Sequence, residues 1–151
     1  MIASLPPGAI VLLGALALPL LRGRLQQLWM LLVTSAGLAH MIGLFGLEHG
    51  EYLRIPLFDH HLVLLRIDRL SLIFGLIFHI VALLTVIYAL HVRDNVQNVA
   101  GLMYAAAGVG AVFAGDLITL FVYWEITAVA SVFLVWASRT ERSYRSGMRY
   151  L

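Results

Sequence analysis

Apolar residues run in five long blocks along this chain, each closed by a short break of polar residues, glycine or proline. The blocks cover about 2–21, 25–47, 70–90, 96–113 and 117–137. Each is near the ~20 residues that a ~30 Å hydrocarbon core demands of a helix. Pro6 and Pro7 shorten the first block, Pro19 is expected to bend it, and Arg22 and Arg24 end it. Asp68 stands where the third helix needs an N-cap, and Asp116 opens the fifth. Between the second and third blocks the pattern changes. Tyr52-Leu53-Arg54-Ile55 and Leu62-Val63-Leu64-Leu65 flank the polar stretch Asp59-His60-His61. Two short apolar runs around a polar turn predict a β-hairpin. It belongs at the membrane surface, because open strand edges are not tolerated in lipid. The expectation is an all-α membrane protein, one transmembrane domain over 1–151, with about five transmembrane helices and a short β-hairpin between helices two and three.

Composition supports lipid as the solvent. Of 151 residues, 62% are hydrophobic and 12% charged, against about 25% charged in a soluble domain. Cysteine is absent, which excludes disulfides and thiolate metal sites. Lysine is absent too, and all ten basic residues are arginines. A net charge of +2 gives no reason to expect nucleic-acid binding. The first block has no basic n-region, so no cleavable signal peptide is expected. With the N-terminus outside, inner loops hold seven arginines (22, 24, 93, 139, 142, 145 and 149) and outer loops three (54, 66 and 69). The excess predicts an N-terminus outside and a C-terminus in the cytoplasm, the expected membrane being the bacterial inner one.

Small residues mark helix contacts. Gly101, Ala105, Gly108 and Gly115 recur along the fourth block, with Ala106, Gly110 and Ala114 on an adjoining face. Such spacings let helices approach closely. Thr119, Tyr123, Thr127 and Ser131 form a hydroxyl stripe on the fifth, expected to bond to neighbouring helices and to surround that helix with protein.

The residue with the most chemistry is Glu125, inside the fifth block. It lies nine residues past Asp116, roughly 13 Å below the outer boundary at 1.5 Å per residue. A carboxylate at that depth is costly and is usually kept for ions, protons or a partner charge. His79, ten residues past Arg69, falls at about 15 Å. It is a candidate proton-transfer group beside Glu125, or an interhelical hydrogen-bond donor. His40 lies nearer the outer end of its helix, so the two histidines do not match in depth for a haem. His49, Glu51, Asp59, His60 and His61 could be read as an outer metal site. Adjacent His60 and His61 in a strand point to opposite faces, so a solvated turn is expected and no metal or cofactor.

The stretch Ala114-Gly115-Asp116-Leu117-Ile118-Thr119-Leu120-Phe121-Val122-Tyr123-Trp124-Glu125 resembles the fifth-helix motif of the antiporter-like subunits, the large membrane subunits of respiratory complex I and of Mrp-type cation/proton antiporters. Ile126 to Leu134 continues the likeness, nearest to the D-type Mrp subunit. Ile67-Asp68-Arg69-Leu70-Ser71-Leu72 resembles that family's opening of the third helix, with Arg69 where glycine is usual.

The resemblance implies that Glu125 matches the glutamate that pairs with a lysine of the seventh helix in a proton half-channel. Such subunits have about fourteen helices in two inverted repeats. This chain of 151 residues has no lysine, and Gly147-Met148-Arg149-Tyr150-Leu151 looks like the lead into a sixth helix. The implied protein is the N-terminal portion, or one half of a split version, of a proton-conducting cation/proton antiporter-like subunit. Its implied partners are other membrane subunits of an antiporter or NADH dehydrogenase-like assembly, including a chain supplying the remaining helices, with protons and Na+ or K+ as cargo. No catalytic chemistry is expected in the chain itself. The competing reading is a structural or assembly subunit of a membrane respiratory complex.

Overall fold

The protein is described by a computed structural model covering residues 5–57 and 60–150. Helix α1 runs from Pro7 to Ala17 and tightens into a 3-10 turn over Leu18–Leu20. Pro6 precedes it and Pro7 occupies its first turn, where a missing N–H costs nothing. Gly23, at φ +61°, turns the chain into α2, Arg24–Gly43. Strands β1 (Gly50–Leu57) and β2 (His60–Ile67) follow, then α3, Arg69–Tyr88, and α4, Asn95–Val112. Helix α5 is Leu117–Trp136 and α6 is Glu141–Tyr150. The expected start of the first block at Ile2, the turn residue Asp59 and the terminal Leu151 lie outside the described residues.

Helix starts are set by capping. Asp68 and Ser71 bond reciprocally at the head of α3, at 2.8 and 2.9 Å. Asp94 accepts the N–H groups of Val96 and Gln97 at the head of α4. An N-cap of this kind contributes about 1 kcal/mol by satisfying donors that the helix leaves free.

Helices α1, α2, α3 and α4 close a ring, each packed on the next and α4 back on α1. Helix α5 leans on α4 from outside the ring, and α6 folds back on α5. Inside the ring, Val11, Met30, Val33, Val86 and Leu102 form one apolar cluster, and Met41, Leu44, Leu72, Val109 and Phe113 form a second at the hairpin end.

The predicted hairpin is present as an antiparallel pair, with Pro56 opposite His61. Val63, Leu65 and Ile67 alternate inward and are buried, Leu65 and Ile67 joining the second cluster. The far edge of β2 is also occupied. Arg66 N–H donates to Phe113 O at 2.9 Å and Gly115 N–H to Val63 O at 2.8 Å. A Cβ on Gly115 would collide with the Val63 side chain, so only glycine lets the α4–α5 turn lie this close.

Among the described residues, three helical stretches are long and apolar enough to cross a membrane: Arg24–Gly46, Arg69–His91 and Leu117–Trp136. The apolar stretch Pro7–Leu20 is shorter, and the first turn of α4 carries Asn95, Gln97 and Asn98. The protein is mostly α and membrane-like, and three stretches rather than five satisfy length and apolarity on their own.

Two contact expectations change. The tight approach of α4 uses the Ala106/Gly110 face: the Ala106 carbonyl leaves no room for a Cβ at Gly8 of α1, and the Tyr123 ring leaves none at Gly110. Gly101, Ala105 and Gly108 instead line an open groove of about 440 Å³ against α3. Among the described residues no hydroxyl of α5 hydrogen-bonds to another helix, although the Tyr123 ring packs on α4. Thr127 donates to Tyr123 O at 2.9 Å and Ser131 to Ala128 O at 2.7 Å, both within α5. Helical Ser and Thr commonly bond back this way, which satisfies them without a neighbour.

Candidate functional site

Asp116 sets the position of α5. Its Oδ1 accepts the N–H groups of Ile118 and Thr119, each at 2.9 Å. Its Oδ2 accepts the Thr119 hydroxyl and the Val63 N–H, each at 2.6 Å. One carboxylate therefore caps α5 and fastens it to the hairpin. Partial burial raises the Asp116 pKa, but the four hydrogen bonds outweigh it and hold the carboxyl below its ordinary value.

From that anchor, Tyr123 turns toward Gly110 of α4. Glu125 is two residues further on and faces the other way. It is exposed, on a face that also carries exposed Phe121, Val122, Trp124 and Val129. Among the described residues Glu125 has no hydrogen-bond or ion-pair partner, since the ion pairs there involve Glu51, Asp68 and Asp94. Helix α5 is also the least covered candidate span, with 17% of its apolar window buried against 33% for each of the other two. A cleft of about 420 Å³ opens beside this face, lined among others by Phe78 of α3, Leu120, Trp124 and Ala128 of α5, and Tyr150 of α6.

His79 sits elsewhere. It is 1% exposed and points into the ring. Its Nδ1–H donates to Gly75 O at 2.8 Å, one turn back on α3. Its imidazole edge rests on Gly37 of α2, and its Nε2 is buried without a partner among the described residues. Phe78, the preceding residue, lines the α5 cleft, so consecutive positions of α3 look in different directions. The structure does not bring His79 and Glu125 together. His40 donates through Nε2 to Leu5 O at 3.1 Å, at the head of α1. Asp68 caps α3 and lies 3.6 Å from the Arg66 guanidinium.

One contact has no counterpart in the sequence reading. Asp94, the cap of α4, also binds Arg139 beyond the end of α5 at 2.6 Å. Arg139 adopts φ 51° there. The N–H of Gln97 above all lowers the Asp94 pKa; burial opposes it, and the Arg139 charge and the Val96 N–H add to the lowering. Neither the Asp94 cap nor its distant partner was among the expectations from the sequence, although an N-cap acts within three residues and so leaves a local signal.

Comparison with known proteins points the same way as the α5 stretch. The chain is 33% identical over 86 residues to the A-type subunit of the Na(+)/H(+) antiporter of Alkalihalophilus pseudofirmus, covering 52% of this chain and 11% of that protein. It is 34% identical over 77 residues to a Staphylococcus epidermidis protein provisionally named antiporter subunit mnhA2, covering 47% of this chain and 10% of the relative. A Staphylococcus haemolyticus protein of the same name is 31% identical over 106 residues, covering 62% of this chain and 13% of the relative. No protein-family model matches the chain. The matches thus span about a tenth of the length of these relatives. They support a partial likeness to antiporter subunits. The Alkalihalophilus relative is of the A type, so neither the D-type likeness nor a likeness to NADH:quinone oxidoreductase gains support.

Proposed function

We propose that this chain is the N-terminal portion, or a split half, of a monovalent cation/proton antiporter-like subunit, with Glu125 in the proton path. The observation that carries the proposal is the uncovered carboxylate midway along a helix apolar enough to span a bilayer. An ionised Glu125 on a face open to hydrocarbon would cost at least a few kcal/mol. A further membrane helix must cover that face and supply a group able to exchange charge or a proton with it. No lysine is present in the chain, so the covering helix is the source of the cation expected beside Glu125. Na+ or K+ is the cargo of the assembled complex. His79 serves packing inside the ring and stands apart from the path.

The proposal is tested in everted membrane vesicles from cells with and without the gene. Respiration builds a pH gradient, and added Na+ or K+ dissipates it where antiport operates. Deletion should remove that dissipation and re-expression should restore it. Unchanged dissipation after deletion, with the remaining membrane subunits still assembled, would leave the structural-subunit reading.

The same proposal includes five crossings, with the N-terminus outside and the C-terminus cytoplasmic. The packing is consistent with this. The hairpin meets the α4–α5 turn at one end of the bundle. At the other end the head of α2 meets the α3–α4 connection, through Gln26 to Asn95 at 2.7 Å and Gln27 to Leu90 O at 2.6 Å. Cysteines at His61 and Thr140 report the orientation. An impermeant maleimide on intact cells should label His61→Cys and spare Thr140→Cys, and the reverse pattern would overturn the arrangement.

A further inference from the structure

We propose that the basic face of α6 is a binding site for the phosphate of an anionic phospholipid headgroup. Arg142, Arg145 and Arg149 lie three and four residues apart, which places them on one face of the helix. With Ser146 and Glu141 they line a single surface groove of about 530 Å³, built from α6 alone. Three guanidinium groups against one carboxylate leave the groove with a formal charge of +2 (3 − 1). None of the three arginines has an ion-pair partner among the described residues, whereas Arg139 is already engaged by Asp94.

The opposite face fixes the helix in place. Tyr144 stacks on Trp136 at 5.7 Å and 24°, and the Trp136 indole N–H donates to Tyr144 O at 3.4 Å. Gly147 lies against the same indole, where a Cβ would not fit. Thr140 and Ser143 close the N-terminus reciprocally, at 3.0 and 3.1 Å. The arginines are thus presented by a held helix and not by a loose tail.

Two features select a lipid as the occupant. The groove follows directly on α5, a candidate membrane span, so α6 begins at a membrane boundary. Exposed Tyr150, next to Arg149, is a side chain of the type enriched at the headgroup level. Arginine also matches phosphate oxygens two at a time, which a diffuse basic surface does not. The inference holds whether or not the complex transports cations.

The test is native mass spectrometry of the full chain, purified in mild detergent, delipidated and titrated with phosphatidylglycerol or phosphatidylcholine of the same acyl composition. Basic residues near a membrane surface attract anionic lipid, and with three of them wild type should prefer phosphatidylglycerol by on the order of tenfold or more. The triple variant Arg142→Gln/Arg145→Gln/Arg149→Gln should lose the preference, and Arg54→Gln on the hairpin should keep it. Should the triple variant fail to fold, the three single variants, each expected to weaken the preference, carry the test. Equal binding of the two lipids by wild type, or an unchanged preference in the folded variants, would overturn the proposal. So would displacement of phosphatidylglycerol by excess inorganic phosphate, which would mark a free-anion site. An acidic polypeptide co-purifying through these arginines, with lipid preference unaffected by their removal, would assign the face to a protein and equally reject it.

Discussion

Glu125→Gln is expected to lower cation-driven proton movement in vesicles carrying the assembled complex by on the order of a hundredfold, the usual scale for loss of a positioned acid or base. Insertion of the chain should be unaffected, because Glu125 makes no hydrogen bond or ion pair among the described residues and glutamine has nearly the same shape. Glu125→Asp keeps the acid but withdraws it by one methylene and should retain part of the rate. His79→Asn is the internal comparison. His79 faces the ring and spends its Nδ1–H on Gly75 O, so the variant should lose stability before it loses transport. The measurement is cation-induced recovery of a pH-sensitive dye at matched expression. Wild-type rates from Glu125→Gln would remove Glu125 from the proton path. Abolished rates from His79→Asn in a normally assembled complex would bring His79 into it.

The contrast between these residues shows what a sequence encodes and what it leaves to packing. Depth is readable, because rise per residue is fixed. Glu125 and His79 fall at similar depths by that count. Which way each points depends on which neighbour packs on which face, and depth carries no such information. His79 turned inward because Gly37 leaves room for an imidazole, a fit that requires α2 and α3 to be paired first. Glu125 turned outward because Tyr123, two residues before it, occupies the contact with Gly110. The helix starts at Asp68 and Asp116 were legible because an N-cap acts within three residues. The hairpin was legible from its two apolar runs, but its docking onto residues 113–116 is a long-range pairing without a local signal. The hydroxyl stripe was a true pattern given the wrong partner, since Thr127 and Ser131 bond back to their own helix.

Asp116→Ala is expected to loosen the hairpin and the head of α5 together. The change removes the cap, worth about 1 kcal/mol. It also leaves the N–H of buried Val63 without its acceptor, at a further cost of about 1–3 kcal/mol. Together these lower the apparent melting temperature in detergent by on the order of 10 °C. Hydrogen exchange over 60–67 should accelerate, because β2 is held on its far edge by Asp116 and the α4–α5 turn. Asp116→Asn keeps an acceptor oxygen and should fall between wild type and alanine. Acid should reproduce part of the effect in wild type. The folded-state pKa of Asp116 is depressed below the ordinary 3.8, so its stabilisation is fully present above that value and is lost as pH falls through the lower folded pKa. Wild type should therefore lose stability below about pH 4 more steeply than Asp116→Asn, which has no carboxyl to protonate. Equal acid slopes for the two proteins, or unchanged exchange over 60–67 in Asp116→Ala, would show that α5 and the hairpin are held together by their apolar contacts and not by this carboxylate.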